Sequence, residues 1–303
     1  MTTALNKLRV LDMSRILAGP WAGQLLGDYG ADVVKVERPG NGDDTRQWGP
    51  PWLGIESAYF LCANRNKRSL TVDIATASGQ QVIRELAGKA DVLLENFKVG
   101  TLNRYELDPD DLLAANPRLI ICSISAFGQS GTRAAQPGYD AMIQASGGLM
   151  SITGPADEEG GGPQKVGVAI ADIMAGMYAT TAILAALHAR EKTGRGQHID
   201  VPLYDSQVAW LANQSMNFLV SGAVPGRMGT AHPNLVPYQA FPTSDGNLML
   251  AVGNDRQFAA CVECLGRGEL AQDDRYATNK ARISNRVPLI DIFRNCLQQH
   301  TTG

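Results

Sequence analysis

The strongest constraint on this chain is a repeat: short apolar runs alternate with helical stretches, and polar or glycine-bearing turns join them. Residues 8–13 read as a strand, a helix opens at Ala18-Gly19-Pro20 and runs to Tyr29, Gly30 stops it, and residues 31–37 form the next strand. Residues 69–74, 91–95, 118–125 and 198–203 continue the strand series, with a helix over 78–87. Strands separated by helices are joined by crossovers, so they run parallel and both sheet faces are covered. The expected fold is α/β, with a Rossmann-like, mostly parallel sheet in a large domain, residues 1-221. Residues 222–237, rich in Gly and Pro, read as a linker. A strand at 246–252 and a helix at 255–266 then predict a smaller α+β second domain, residues 222-303. The turn after the first strand, SRILAGPWAG, lacks G-x-G-x-x-G, and no phosphate-loop, H-E-x-x-H or G-x-S-x-G pattern occurs. Ligands in such folds bind beyond the strand carboxyl ends, which directs attention to 14–20, 38–40 and 96–100.

One stretch stands apart, KVGVAIADIMAGMYATTAILAA at 165–186, where Asp172 is the single acid in an apolar, small-residue run. Its apolar spacing predicts a helix, and Lys192-Thr193-Gly194 supplies a cationic last turn and a stop. Asp172 near the helix start reads as a nucleophile whose ionised form is favoured by the helix dipole, or as an N-cap. Ala171, Ala175, Gly176 and Ala179 leave room for another backbone or a ligand. A membrane span fits the length, but the acid and the many small residues favour a buried helix. The glycine-rich stretch 154–162 reads as a surface loop or a lid.

The net charge of −3 shows no basic excess, so nucleic acid and membrane surfaces are not expected partners. The N-terminus carries no apolar leader, which sets a cytoplasmic expectation. Five scattered cysteines form no disulfide framework, and Cys261-x-x-Cys264 reads as packing; no metal site is expected.

At specific segments the chain resembles the class III CoA-transferases, the formyl-CoA transferase and L-carnitine CoA-transferase family. They are Val10-Leu-Asp with Ala18-Gly-Pro, Gly30-Ala-Asp-Val-Val-Lys-Val-Glu-Arg-Pro-Gly, Asn66-Lys-Arg-Ser, Glu95-Asn-Phe, and Arg190 to Gln197. Gly42-Asp-Asp-Thr-Arg with Trp48-Gly-Pro-Pro, and Gly229-Thr-Ala-His-Pro, are similar to the succinate–hydroxymethylglutarate (glutarate) branch. The resemblance implies that Asp172 is the catalytic aspartate. It implies that Leu17, Ala18, Arg38, Val72, Asn96, Phe97, Lys98, Arg104, Tyr139 and Asp140 contact coenzyme A. It also implies coenzyme A and acyl-CoA as substrates with no tightly bound cofactor, and an interlocked homodimer. Pro137 departs from the lysine of formyl-CoA transferase. Arg46, Arg65 and His232 are candidates for the acyl group, the arginines by the arginine–carboxylate fork.

The reaction implied is CoA transfer from an acyl-CoA, succinyl-CoA by the branch, to a dicarboxylate through a covalent aspartyl intermediate, with helix-start N–H groups on the developing oxyanion. Two other readings compete. The family's racemases carry His before the Asp of Gly-x-Asp, where this chain has Tyr139. The chain also stops without the family's C-terminal return segment, which fits a CoA-binding protein without turnover.

Overall fold

The computed structural model describes residues 3–303. The chain separates into two compact units: the first comprises the chain up to Leu149 with Lys165–Gly222, the second Met150–Gln164 with Ala223–Gly303. The segment 150–164, which the sequence placed in the large domain, thus groups with the second unit. Its attachment is visible there: Gly229 N–H donates to the Gly154 carbonyl at 2.9 Å, and Arg227 pairs with Asp157.

Six strands form the sheet of the first unit: β1 (Arg9–Asp12), β2 (Asp32–Glu37), β3 (Lys67–Thr71), β4 (Val92–Glu95), β5 (Ile120–Ser125) and β6 (His198–Pro202). They lie in the order β3-β2-β1-β4-β5-β6, and every pairing is parallel. This is the doubly wound order, in which the direction of winding reverses between β1 and β4. The expected strand at 69–74 lies two to three residues earlier, at Lys67–Thr71, where the register pairs Val33 with Lys67 and the Lys67 ammonium meets the buried Asp12 carboxylate.

Central strands are apolar throughout because both faces are buried. Val92 and Leu94 join one core with Val10, Leu26, Ile120 and Ile183, whereas Leu93 joins the opposite core with Leu11, Ile83, Leu107 and Ile121. That alternation is the period-two geometry of a strand. The first core lies beneath α1 (Ala18–Asp28) and α4 (Ile170–Thr193), the second beneath α2 (Ala77–Ala87); α3 (Asp140–Ser146) contributes Ile143 to the first.

α4 buries Ala171, Ala175, Ala179, Ile183 and Ala186, a line at spacings of three and four, and ends at Gly194, whose φ of 73° lets it close the last turn onto the Arg190 carbonyl. By length and composition α4 is apolar enough to cross a bilayer; here that face packs in the core. A Cβ on Gly176 would lie 2.7 Å from the Ala18 carbonyl oxygen, so the small residues admit another backbone, that of α1. The helix expected over 205–220 is two, α5 (Leu203–Ala209) and α6 (Ala212–Ser221), broken where Ala212 takes a φ of 41°.

The second unit has an antiparallel pair, β7 (Tyr238–Pro242) and β8 (Asn247–Ala251), with α7 (Asp255–Cys264) and α8 (Arg286–Leu297). Phe241, Phe258, Phe293 and the fully buried Tyr276 centre its core.

Candidate active site

Where β1 and β4 part, the turns after their carboxyl ends hold each other. The Asn96 side chain accepts the Arg15 N–H at 2.8 Å and donates to the Arg15 carbonyl at 2.7 Å, fixing the loop in which Ile16 adopts a φ of 70°. Two cavities open from this clamp. One, of about 380 Å³, is bounded by Arg38, Val72, Ile74, Lys98, Thr101 and Tyr105. The other, of about 210 Å³, runs past Ala18, Asn96, Ser125 and Tyr139 to Asp172. Arg15, Phe97 and Lys98 border both.

Arg15 lies 5.6 Å from the Phe97 ring centroid and pairs with Asp44, which also takes Arg38. The Arg15 Nε is buried with no hydrogen-bond partner among the described residues, and no carboxylate among them pairs with Lys98. These donors suit an anionic ligand at the junction of the cavities.

Under the larger cavity lies a buried ionic frame. Lys67 Nζ meets Asp12 at 2.9 Å, the Pro20 carbonyl at 2.8 Å and Asn64 at 3.0 Å; Lys35 Nζ meets Asp43 at 2.9 Å and the Ser14 carbonyl at 2.8 Å. Burial pushes the Asp12 carboxyl up, but Lys67 and Lys35 outweigh it and hold the acid below its ordinary range. Glu37 is likewise opposed by burial and brought down to about 2 by hydrogen bonds from Arg46, Ser69 and the Asp43 N–H.

Asp172 faces the opposite situation. It is the third residue of α4, so the N-cap reading fails: Ala169 occupies that position, without a side-chain cap. Burial, then the charge of Asp140, pushes its carboxyl up to about 7. The ionised form expected from the helix dipole is therefore disfavoured, because desolvation and a like charge outweigh a partial charge. At neutral pH the carboxyl divides between acid and carboxylate, so a weakly solvated carboxylate is present. The helix-start donors expected for an oxyanion are partly engaged: Ile170 N–H donates to the Val168 carbonyl at 2.8 Å and Ala171 N–H to Asp140 Oδ1 at 2.9 Å.

The profile of CoA-transferase family III matches residues 5–303. The chain belongs to that family. Its relatives include a succinate–glutarate CoA-transferase of Agrobacterium fabrum, 51% identical over 95% of this chain and 73% of the relative. The human succinyl-CoA:glutarate CoA-transferase is 45% identical over 99% of this chain and 68% of its own length. Among solved structures, a CAIB/BAIF family protein from Brucella suis superposes with a TM-score of 0.86 at 50% identity, covering 99% of this chain and 80% of that one. The family and these relatives make the chain an enzyme that transfers CoA between an acyl-CoA and a carboxylate, with CoA thioesters as substrates.

Of the expected family residues, Ala18, Asn96, Phe97, Lys98, Tyr139 and Asp172 border the smaller cavity, and Arg38, Val72, Phe97 and Lys98 the larger. Leu17 is instead buried at the head of α1. Arg104 stands exposed one residue before the cavity-lining Tyr105. Asp140 turns both carboxylate oxygens to its own fold, one to Ala171 N–H and one to Gln144 Nε2 at 2.8 Å.

The acyl-group candidates fare differently from the expectation. Arg46 is a structural clamp: Nε and Nη2 fork Glu37 at 2.7 and 2.8 Å, Nη1 takes Glu56, and the guanidinium sits 3.7 Å from the Phe60 ring centroid. Its fork is already filled by protein carboxylates. Arg65 pairs with Asp28 at the end of α1, at the edge of the sheet away from the cavities. That assignment fails because α1 runs back along the strands and carries Asp28 to their amino ends. His232 belongs to the second unit, where Nδ1 accepts the Asn234 N–H at 3.0 Å and the ring packs on Tyr238. Arg15, Ile74 and Tyr105 were not anticipated. For Arg15 a signal existed, an arginine directly after the first strand at the winding reversal; for Tyr105 there was none, since a helical turn delivers it.

Proposed function

We propose that this chain transfers CoA from succinyl-CoA to a second dicarboxylate through a covalent intermediate on Asp172. The observation that carries the proposal is the placement of Asp172 at the end of the smaller cavity, partly buried and with its proton affinity raised into the neutral range. The relatives named for succinate and glutarate support the choice of substrates. In this reading the larger cavity takes the nucleotide end of CoA, with Arg15, Arg38 and Lys98 near its phosphates, and the smaller takes the pantetheine arm past Phe97.

The Asp172 carboxylate attacks the thioester carbonyl; an acyl–oxygen bond forms, the C–S bond breaks, and CoA leaves as thiolate. Thiolate attacks the aspartyl carbonyl of this anhydride, giving an aspartyl–CoA thioester and the donor carboxylate. The acceptor carboxylate displaces the thiolate to form a second anhydride, and thiolate attacks its acceptor carbonyl, regenerating Asp172. Each step exchanges one carboxylate for one thiolate, so no proton need be supplied. Water must be excluded while the anhydrides exist. The expected homodimer belongs to the same reading, supported by the exposed apolar run Met216, Phe218, Leu219 and Val220 on α6.

The test is intact-mass analysis after incubation with succinyl-CoA and hydroxylamine. A hydroxamate mapped to Asp172 is the expected result; an unmodified chain during full turnover overturns the covalent route.

A further inference from the structure

Between Leu149 and Lys165 the chain leaves the first unit, and Asp172 follows only seven residues after its return. A nucleophile placed so soon after a re-entry point needs its backbone fixed by something other than its own helix. α3 supplies that fixation. Gln144, which is fully buried, accepts the Val166 N–H through Oε1 at 2.9 Å. Its Nε2 donates to Asp140 Oδ2 at 2.8 Å, and Asp140 Oδ1 accepts the Ala171 N–H at 2.9 Å. The two side chains are one helical turn apart and therefore share a face of α3. They grip the returning chain at both ends of the segment that enters α4, and the second grip is on the residue next to Asp172.

We propose that Asp140 and Gln144 form a bracket that positions Asp172 for attack on the thioester. This inference rests on Asp172 as the nucleophile. It reassigns Asp140 from contact with CoA to a positioning residue, and it adds Gln144, for which the sequence offered no signal. The bracket acts through backbone placement, since a displacement of about 1 Å at a reacting group costs roughly 10²-fold in rate. It also acts through charge. The groups facing Asp172 are Asp140 from α3, Tyr59 from the helix Ala58–Cys62, and, around the same cavity, Arg15, Asp44, Lys98 and Tyr139. Arg15 is paired with Asp44, so Asp140 is the acid whose charge opposes ionisation of Asp172.

Three variants separate these roles, each followed as kcat and KM against pH with succinyl-CoA. Asp140→Asn keeps an acceptor for Ala171 N–H but loses the charge and the acceptor for Gln144 Nε2; the midpoint of the rise in kcat/KM is expected to fall by about half a unit or more. Gln144→Ala keeps the charge and loses the grip on Val166 together with the bond to Asp140 Oδ2; kcat is expected to fall roughly tenfold with KM unchanged. Asp140→Ala loses both, and its kcat is expected to fall roughly 10²-fold, with amide exchange at Ala171 accelerated. A rise in KM with kcat unchanged overturns the bracket and returns Asp140 to the substrate surface. An unmoved midpoint in Asp140→Asn together with an unmoved kcat in Gln144→Ala also overturns it, provided hydroxylamine still traps Asp172. If hydroxylamine traps nothing at Asp172 in the unsubstituted enzyme, the nucleophile reading fails and the bracket fails with it.

Discussion

The crevice has two sides that treat the same chemical group in opposite ways. On the side of β1 and β2, Asp12 and Glu37 are buried yet held ionised, each against a cation that is itself well bonded. On the side of β4 and α4, Glu95 and Asp172 are pushed up to about 7, in both cases by burial first and then by a neighbouring acid, Asp200 or Asp140. Ser123 and the Phe97 N–H offset part of the effect at Glu95. Burial is common to both sides; the presence of a cation within reach decides the sign. The paired side is built for rigidity beneath the larger cavity, and the unpaired side keeps an acid whose charge can change near neutral pH.

Breaking the unpaired side is expected to have the largest effect. Asp172→Ala should lower CoA transfer by roughly 10³-fold or more, since it removes the group proposed to form the covalent bond; a steady-state rate within tenfold of the parent would contradict the comparison at its root. Breaking the paired side should instead cost stability. Lys67→Met leaves Asp12 buried without its cation, an effect of about 3–5 kcal/mol by denaturant melt, and adding Asp12→Asn should recover much of it. If the single and double variants melt alike, the frame is not what holds Asp12.

Acid pH should distinguish the two sides next. The Asp172 carboxyl is raised, so with Asp172 as the proposed nucleophile kcat/KM is expected to rise with pH through about 7, where its carboxylate forms. The same shift makes folding unfavourable to the ionised form, a cost absent below the ordinary value near 3.8 and complete above about 7. Asp172→Asn should therefore gain stability at pH 8 relative to pH 4, of the order of 1–2 kcal/mol after allowance for its partial exposure. Glu37 is lowered, so its contribution is present above about 4.5 and lost as pH falls towards 2. Glu37→Gln should flatten that acid limb of the stability curve, the smallest effect of the set, read as melting temperature between pH 5 and 2.

Much of this organisation was legible in the residue order, for identifiable reasons. A parallel strand buried on both faces needs a continuous apolar run, so Val92-Leu93-Leu94 and Ile120-Ile121-Cys122 announced themselves. The sheet order placed the crevice between β1 and β4, and the loops named from the sequence, 14–20, 38–40 and 96–100, each supply residues to it. Asp172 was conspicuous as the lone acid in a small-residue helix. Arginines were harder: Arg38 and Arg46 look alike along the chain, yet Arg38 borders a cavity and shares the single carboxylate Asp44 with Arg15, while Arg46 has its fork filled by Glu37 and Glu56. A guanidinium's role depends on which carboxylates the fold brings within 3 Å, and those lie on other strands and turns.

The sequence by itself determined the layered α/β class with a mostly parallel sheet and singled out Asp172 as the lone acid of its helix start, because apolar periodicity and an isolated charge are local properties. Tertiary structure alone decided the proton affinity of Asp172, the commitment of Arg46 and Arg65 to structural pairs, and the service of Asp140 and Gln144 to the entry of α4. Each of these depends on distances between residues far apart in the chain, where burial and the nearest charge set the energy of a polar group.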